Sequence, residues 1–358
     1  MKTPSAQPIK NNSVVITGIG PLCQQADSLE QLTQLSNHEM TNESSNEKTN
    51  ESDWFDVTQF LGKRGHKYYT EATRLLLSAV TIALKDAGLD QNNNPEAFYD
   101  ENERGVFVGT NFAVHQLLED FDQTLLATSS DAISPMQAPN FSLNVAASYI
   151  SINRRYGAFN ISLTSPMVAG LEAVSLAAQA IRNGRAKMVI AAATESQATR
   201  AARELLAIDN TATGACALIL EDYESAIQRG APIYAHLGEH FGRFVTPNNN
   251  QCLNHVTESF KHFIEQQTQN YPLSHTYTQL CSKDLFSQTI NEVLQSQLSS
   301  LNHQQVQNVF ASEGQHLTVS PMFMLAQMAH KGAGLVIANS PYGHLWAQQL
   351  IKEGVNHD

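Results

Sequence analysis

NISLTSPMVAGLEAVSLAAQAIR, residues 160–182, reads as a short apolar strand, a sharp turn and a long helix. Ile161 and Leu163 alternate with polar neighbours at strand spacing. Ser165-Pro166 ends the strand, because proline has no amide proton to give a ladder. From Ala169 the run is rich in Ala, Leu and Val, with Glu172, Gln179 and Arg182 at the spacing of an outer face. Gly170 and its small neighbours allow this helix to approach another backbone closely. A strand, a tight turn and a buried helix can mount a nucleophile at a helix N-terminus, where free amides and the helix dipole stabilise negative charge.

The 358 residues are 42% hydrophobic and 16% charged, enough for a large core in one big domain or two fused ones. A net charge of −12 disfavours nucleic acid or an anionic membrane surface as a partner. Cys23, Cys216, Cys252 and Cys281 show neither close pairing nor metal-ligand spacing, which fits a reduced, cytoplasmic protein without a metal. The N-terminal MKTPSAQPIKNN has no apolar run long enough for a signal peptide, and no segment approaches the length of a membrane span. Ser13 to Gly20, SVVITGIG, is a buried strand ending in glycines. Its lone GxG is an incomplete dinucleotide fingerprint with no acidic partner at the right distance, so no cofactor is expected.

Further along, residues 37–53, dense in Asn, Glu, Ser and Thr, read as a mobile surface loop. Lys67 to Gly88 is an amphipathic helix with Ala72, Leu75, Leu76, Ala79, Ile82, Ala83 and Ala87 on one stripe and Gly88 as its stop. Arg104 to Thr110 and Ala186 to Ala193 are buried strands. Between them, residues 111–126 carry Phe112, Val114, Leu117, Leu118, Phe121, Leu125 and Leu126.

The order of these motifs resembles the β-ketoacyl synthases, condensing enzymes of the thiolase superfamily. The family's opening strand reads Val-Val-Val-Thr-Gly-hydrophobic-Gly. Its Ala-Leu-x-Asp-Ala-Gly-Leu is matched by Ala83 to Leu89, and its Pro-Asn by Pro139-Asn140. The resemblance covers nearly the full chain, strongest over 13–237 and weak over 245–330. It implies a short helix at Leu29 to Leu35, a helix ending at Gly230 and then a strand over 224–237, a strand at 306–311 and a closing hairpin at 334–351. It implies an α/β, thiolase-like fold of two related βαβ halves, 13–230 and a shortened 231–352, with mixed sheets in an α-β-α-β-α layering.

The family's nucleophile elbow is Thr-Ala-Cys-Ala-Ser-Gly. Aligned on Gly170-Leu171, the cysteine position holds Met167. A thioether has no ionisable proton and cannot become the thiolate that attacks an acyl thioester. It also lacks the amide of relatives that carry Gln there. The two histidines that promote decarboxylation are unmatched as well. Ser312 follows the strand where the family has His-Gly-Thr-Gly-Thr, and Lys-x-x-x-Gly-His has no convincing counterpart. The gating Phe of Gly-Phe-x-x-Gly-Glu-Gly-Ala is gone, only the motif's end surviving at Gly214 to Glu221. In the glycine-rich closing turn, Tyr342 and His344 replace family residues while Asn339-Ser340 and Gly343 remain. As substitute nucleophiles, Cys216 reads as a small buried hydrophobe and Ser165 has no evident base. His236, His240, His316, His330 and His344 make no metal-ligand set.

Three missing groups together point away from catalysis by this chain, and Met167 reads as filling its own acyl site. The resemblance is then to the chain-length-factor subunits of type II polyketide systems, aryl polyene clusters in particular. These implied partners are a cysteine-bearing ketosynthase in a heterodimer and, through it, an acyl carrier protein. Phe112, Val114, Leu118 and Phe121 are the candidates for the floor of the partner's tunnel. An independent thiolase-fold acyltransferase or condensing enzyme with a substitute nucleophile, and a scaffold without influence on chain length, are the alternatives.

Overall fold

The strand and helix read at 160–182 are present as Phe159–Leu163 and Ala169–Arg182 in the computed structural model, which describes residues 13–35, 54–89, 97–206, 211–246, 249–270, 275–279, 285–298, 304–307 and 317–352. The strands are β1 (Val14–Leu22), β2 (Arg104–Gly109), β3 (Phe159–Leu163), β4 (Met188–Glu195), β5 (Gly214–Asp222), β6 (Ala235–Phe244), β7 (His275–Gln279), β8 (Gln304–Gln307), β9 (Gly334–Asn339) and β10 (His344–Ile351). The helices are α1 (Leu29–Leu35), α2 (Thr58–Leu61), α3 (Glu71–Asp86), α4 (His115–Ala127), α5 (Val145–Arg154), α6 (Ala169–Arg182), α7 (Arg200–Leu206), α8 (Tyr223–Gln228), α9 (Asn250–Asn270), α10 (Leu285–Leu298) and α11 (Ser320–Lys331).

Hydrogen bonding orders the strands β3-β2-β4-β5-β1-β6-β10-β9-β7-β8. Read inward from each edge, β3-β2-β4-β5-β1 and β8-β7-β9-β10-β6 are the same arrangement with every number advanced by five. The directions repeat too. β2 runs parallel to β3 and β4, β7 runs parallel to β8 and β9, and the inner pairs are antiparallel. These are the mixed sheets expected from the sequence, joined edge to edge where Val14–Ile16 pair with Ala235–Leu237 across the middle.

Apolar residues sort into layers. One cluster sets α3 and α5 against the outer face of β1, β2, β4 and β5. A second joins α6 and α11 to strands of both halves. A third sets α9 and α10 against β6, β9 and β10. In α11 every residue from Ser320 to Ala329 is buried, as expected for a helix apolar nearly all round. The result is the layered, thiolase-like α/β fold.

Boundaries moved for local reasons. The helix expected from Lys67 begins at Glu71, since the Thr70 hydroxyl accepts the Thr73 amide and caps it. Its stop at Gly88 stands, with φ +69°. Within residues 111–126 the helix begins only at His115, because the amides of Asn111 and Phe112 donate to the Glu195 carboxyl and that of Ala113 to the Thr110 hydroxyl. The loop 37–53, Ser312, His316, Cys281 and the end of the 306–311 strand lie outside the described residues.

Candidate functional site

Met167 sits at the turn between β3 and α6 with φ +62°, in the left-handed region that a side chain enters at a cost of about 1–2 kcal/mol. The chain therefore keeps the strained elbow geometry although no nucleophile stands in it. The thioether is buried among Phe112, Ala198 and Leu317. Leu317 also has a positive φ, +47°, where the chain enters α11 across the elbow.

The amides that an elbow would offer to a developing anion have partners already. The Met167 amide donates to Asn111 Oδ1 at 3.1 Å, and the Gly170 amide to Thr318 Oγ1 at 2.6 Å. Asn111 is held in turn. Its Nδ2 donates to the Thr164 carbonyl at 3.0 Å, and its own amide to Glu195 Oε1 at 2.8 Å. Glu195, fully buried at the end of β4, also accepts the Phe112 amide at 2.7 Å and the Thr110 hydroxyl at 3.4 Å. Burial pushes its carboxyl up to about 8, against the opposing pull of those donors. Oxyanion stabilisation needs amide donors that are free and aimed at the developing charge. At this helix N-terminus two amides are committed to side chains of the same protein.

Gly170 shows how closely the second half presses on the elbow. A Cβ there would lie 2.3 Å from the Thr318 carbonyl oxygen and 2.8 Å from Met322 Cγ. Gly170→Ala is expected to destabilise the fold by about 1–3 kcal/mol, since the carbonyl is backbone and cannot yield as a side-chain tip can. Urea unfolding of the two proteins measures it, and equal midpoints would contradict the packing.

The remaining candidates are dispersed. Cys216 is fully buried in β5, and burial pushes its thiol up, away from thiolate formation. Ser165 holds the turn through its carbonyl, which accepts the Val168 and Ala169 amides. His236 contacts Ser13 through Nδ1, His240 stacks on Trp346, and His344 contacts the Ser340 hydroxyl. His330 is exposed at the end of α11. Among the described residues no group of three His, Cys, Asp or Glu side chains could hold a metal ion. No helix among them is long and apolar enough to cross a membrane.

The four residues expected at a partner's tunnel separate into two pairs. Phe112 and Val114, each 6% exposed, are buried inside this chain, Phe112 against Met167 and Val114 beside Ala72, Ala113 and Leu143. Leu118 (40% exposed) and half-buried Phe121 lie on α4, which has no buried residue. The sequence reading missed Asn111, Glu195 and Thr318 as the clamps of the elbow. The Thr194-Glu195 strand ending was the available signal for one of them.

The family model for the β-ketoacyl synthase N-terminal domain matches residues 17–213. The 3-oxoacyl-[acyl-carrier-protein] synthase 2 of Synechocystis sp. is 25% identical over 264 residues, 64% of this chain and 62% of that protein. The same enzyme of Vibrio cholerae is 25% identical over 259 residues, 63% and 61% of the two chains. The chain thus spans about three fifths of the length of these curated relatives. Among solved structures, a type II PKS acyl-carrier protein in complex with its ketosynthase bound to the hexaketide superposes with TM-score 0.78 at 19% identity, covering 96% of this chain and 100% of that one. The ishigamide ketosynthase/chain length factor gives 0.77 at 16%, again with 96% and 100% coverage. These superpositions show the same fold, and with the family model spanning more than half of its 358 residues the chain belongs to the β-ketoacyl synthase family.

Proposed function

We propose that this chain is a chain-length-factor-like subunit: it does not condense acyl groups itself but pairs with a cysteine-bearing ketosynthase and shapes that partner's acyl tunnel in polyketide or aryl polyene synthesis. The observation that carries this reading is the elbow. Its strained turn is kept, yet it presents a buried thioether and an amide already bonded to Asn111. Ser312, the other replaced catalytic position, adds to it from the sequence.

A second observation supports a partner. β3 is an edge strand with β2 as its neighbour, so one side of its backbone is open to pairing. On α5, which packs against β3, Ile152 is 71% exposed, and Phe141 (56%) and Leu126 (89%) are uncovered on the turn before α5 and on α4. Uncovered apolar side chains of this size mark a protein interface. The acyl carrier protein would then dock on the ketosynthase subunit, given the −12 charge of this chain.

Co-expression with the cysteine-bearing ketosynthase encoded nearest to this chain tests the reading. A stoichiometric heterodimer is expected. Incubation with an acyl thioester should leave an acyl adduct, seen by mass spectrometry, on the partner and none on this chain. Alanine at Leu118 or Phe121, the uncovered pair, is expected to lengthen the product, whereas at Phe112 or Val114, buried in this chain, it is expected to act on stability instead. Condensation by this chain purified alone, or an adduct on it, would replace the proposal with an independent enzyme. Product length unchanged at both Leu118 and Phe121 would leave a scaffold.

A further inference from the structure

We infer that the partner surface covering α4 is basic, and that this charge requirement turns away a second copy of the chain. The inference rests on the ketosynthase reading above and adds which surface the partner must present. α4 is amphipathic, yet none of its residues is buried. Leu118, Leu125 and Leu126 are 40, 45 and 89% exposed. Its neighbours in the fold are the short turns Ser130–Ala132 and Ala138–Phe141, the second of which leads through α5 to the open edge of β3. The helix is therefore linked, through that turn and α5, to the strand at the edge of the sheet.

Helical spacing fixes what shares the outer strip with the leucines. Residues three and four apart stand one above the other, so Asp122 lies between Leu118 and Leu126, and Glu119 lies beside Asp122. Asp122 is exposed and Glu119 half-buried, and no ion pair among the described residues includes either. Whatever covers the leucines also removes water from these two carboxylates. An apolar cover would leave them desolvated without compensation, which is strongly unfavourable. The cover must bring cations.

A second copy pairing α4 against α4 cannot bring them. A two-fold contact draws both faces from one surface. Between Arg104 and Arg154 the sequence has Glu119, Asp120, Asp122 and Asp131 and no Lys or Arg, so α4 and the turns beside it carry no cation of their own. Self-pairing would set carboxylates against carboxylates between two chains of charge −12. An anionic bilayer is turned away by the same charges.

The test is the affinity of the purified chain for the cysteine-bearing ketosynthase encoded nearest to it, measured by analytical ultracentrifugation at roughly 0.05 and 0.5 M salt. Wild type is expected to bind at least about tenfold more weakly in the higher salt, and Glu119→Lys/Asp122→Lys at least about tenfold more weakly than wild type in the lower. Circular dichroism and melting of that variant should match wild type, since both sites are on the surface. Leu126→Asp should weaken binding at both salt levels. Equal binding by the charge-reversed chain overturns the inference while leaving the ketosynthase partner in place. A wild-type homodimer sensitive to Leu126→Asp, or binding to vesicles rich in anionic lipid, overturns it too. If no complex with the ketosynthase forms at either salt level, the functional reading fails and takes the inference with it.

Discussion

Arg229→Ala should cost about 3–5 kcal/mol of unfolding free energy, because it strands a carboxylate in the core of the first half. Glu221 is fully buried in β5, and the Arg229 side chain is 5% exposed. The guanidinium meets it as a fork, Nε to Oε2 at 2.6 Å and Nη2 to Oε1 at 2.5 Å, and gives a third bond to the Ala87 carbonyl at 2.9 Å. The hydroxyls of Thr17 and Tyr99 also donate to the carboxylate. One charge pair thus ties β1, β5, the end of α3, the segment before β2 and the turn after α8. Without the arginine two neutral donors remain, too few to offset the desolvation of a full charge. The double variant Glu221→Gln/Arg229→Met is expected to recover most of the loss, since no uncompensated charge is left. Guanidinium unfolding at neutral pH measures both. A loss under about 1 kcal/mol in the single variant would show that the pair contributes no more than a surface one.

The second large effect is a pH dependence at the elbow. Glu195 has its carboxyl raised from the ordinary 4.5 to about 8 in the folded chain, by burial first of all. Below pH 4.5 it is protonated in both states and contributes no slope. Between 4.5 and about 8 the unfolded chain has released a proton that the folded chain retains, so folding loses stability as pH rises. Above about 8 both forms are ionised and the loss stops growing. At about 1.4 kcal/mol per unit the whole interval amounts to on the order of 5 kcal/mol. Glu195→Gln removes the titrating proton. The stability of wild type relative to this variant should therefore decline from pH 5 to pH 8 and then level. A difference that stays flat over that range would mean that the amides of Asn111 and Phe112 keep the carboxylate ionised throughout, the opposite balance between hydrogen bonding and burial.

Much of the architecture was legible because it is written in local periodicity. The stripe of Ala72, Leu75, Leu76, Ala79 and Ala83 is buried in α3 as its spacing requires. The runs in β2, β4 and β9 are buried along their whole length, as continuous apolar strands should be. The start of α3 was read less well, since the Thr70 hydroxyl sets it through a bond that spacing does not encode. Phe112 and Leu118 looked alike as apolar residues of one segment. Folding buries the first against Met167 and leaves the second on an uncovered helix.

By itself, the sequence determined that the strand, turn and helix of 160–182 exist and that a thioether stands at the turn, because proline, glycine and side-chain chemistry act within a few residues of where they occur. The tertiary structure decided what that turn can do. Asn111 is 56 positions from Met167, Thr318 is 148 from Gly170, and Glu195 is 84 from Asn111. Only the closing of the sheet and the pressing of α11 on α6 bring them to the elbow, where they occupy its amides and bury a carboxyl beneath it.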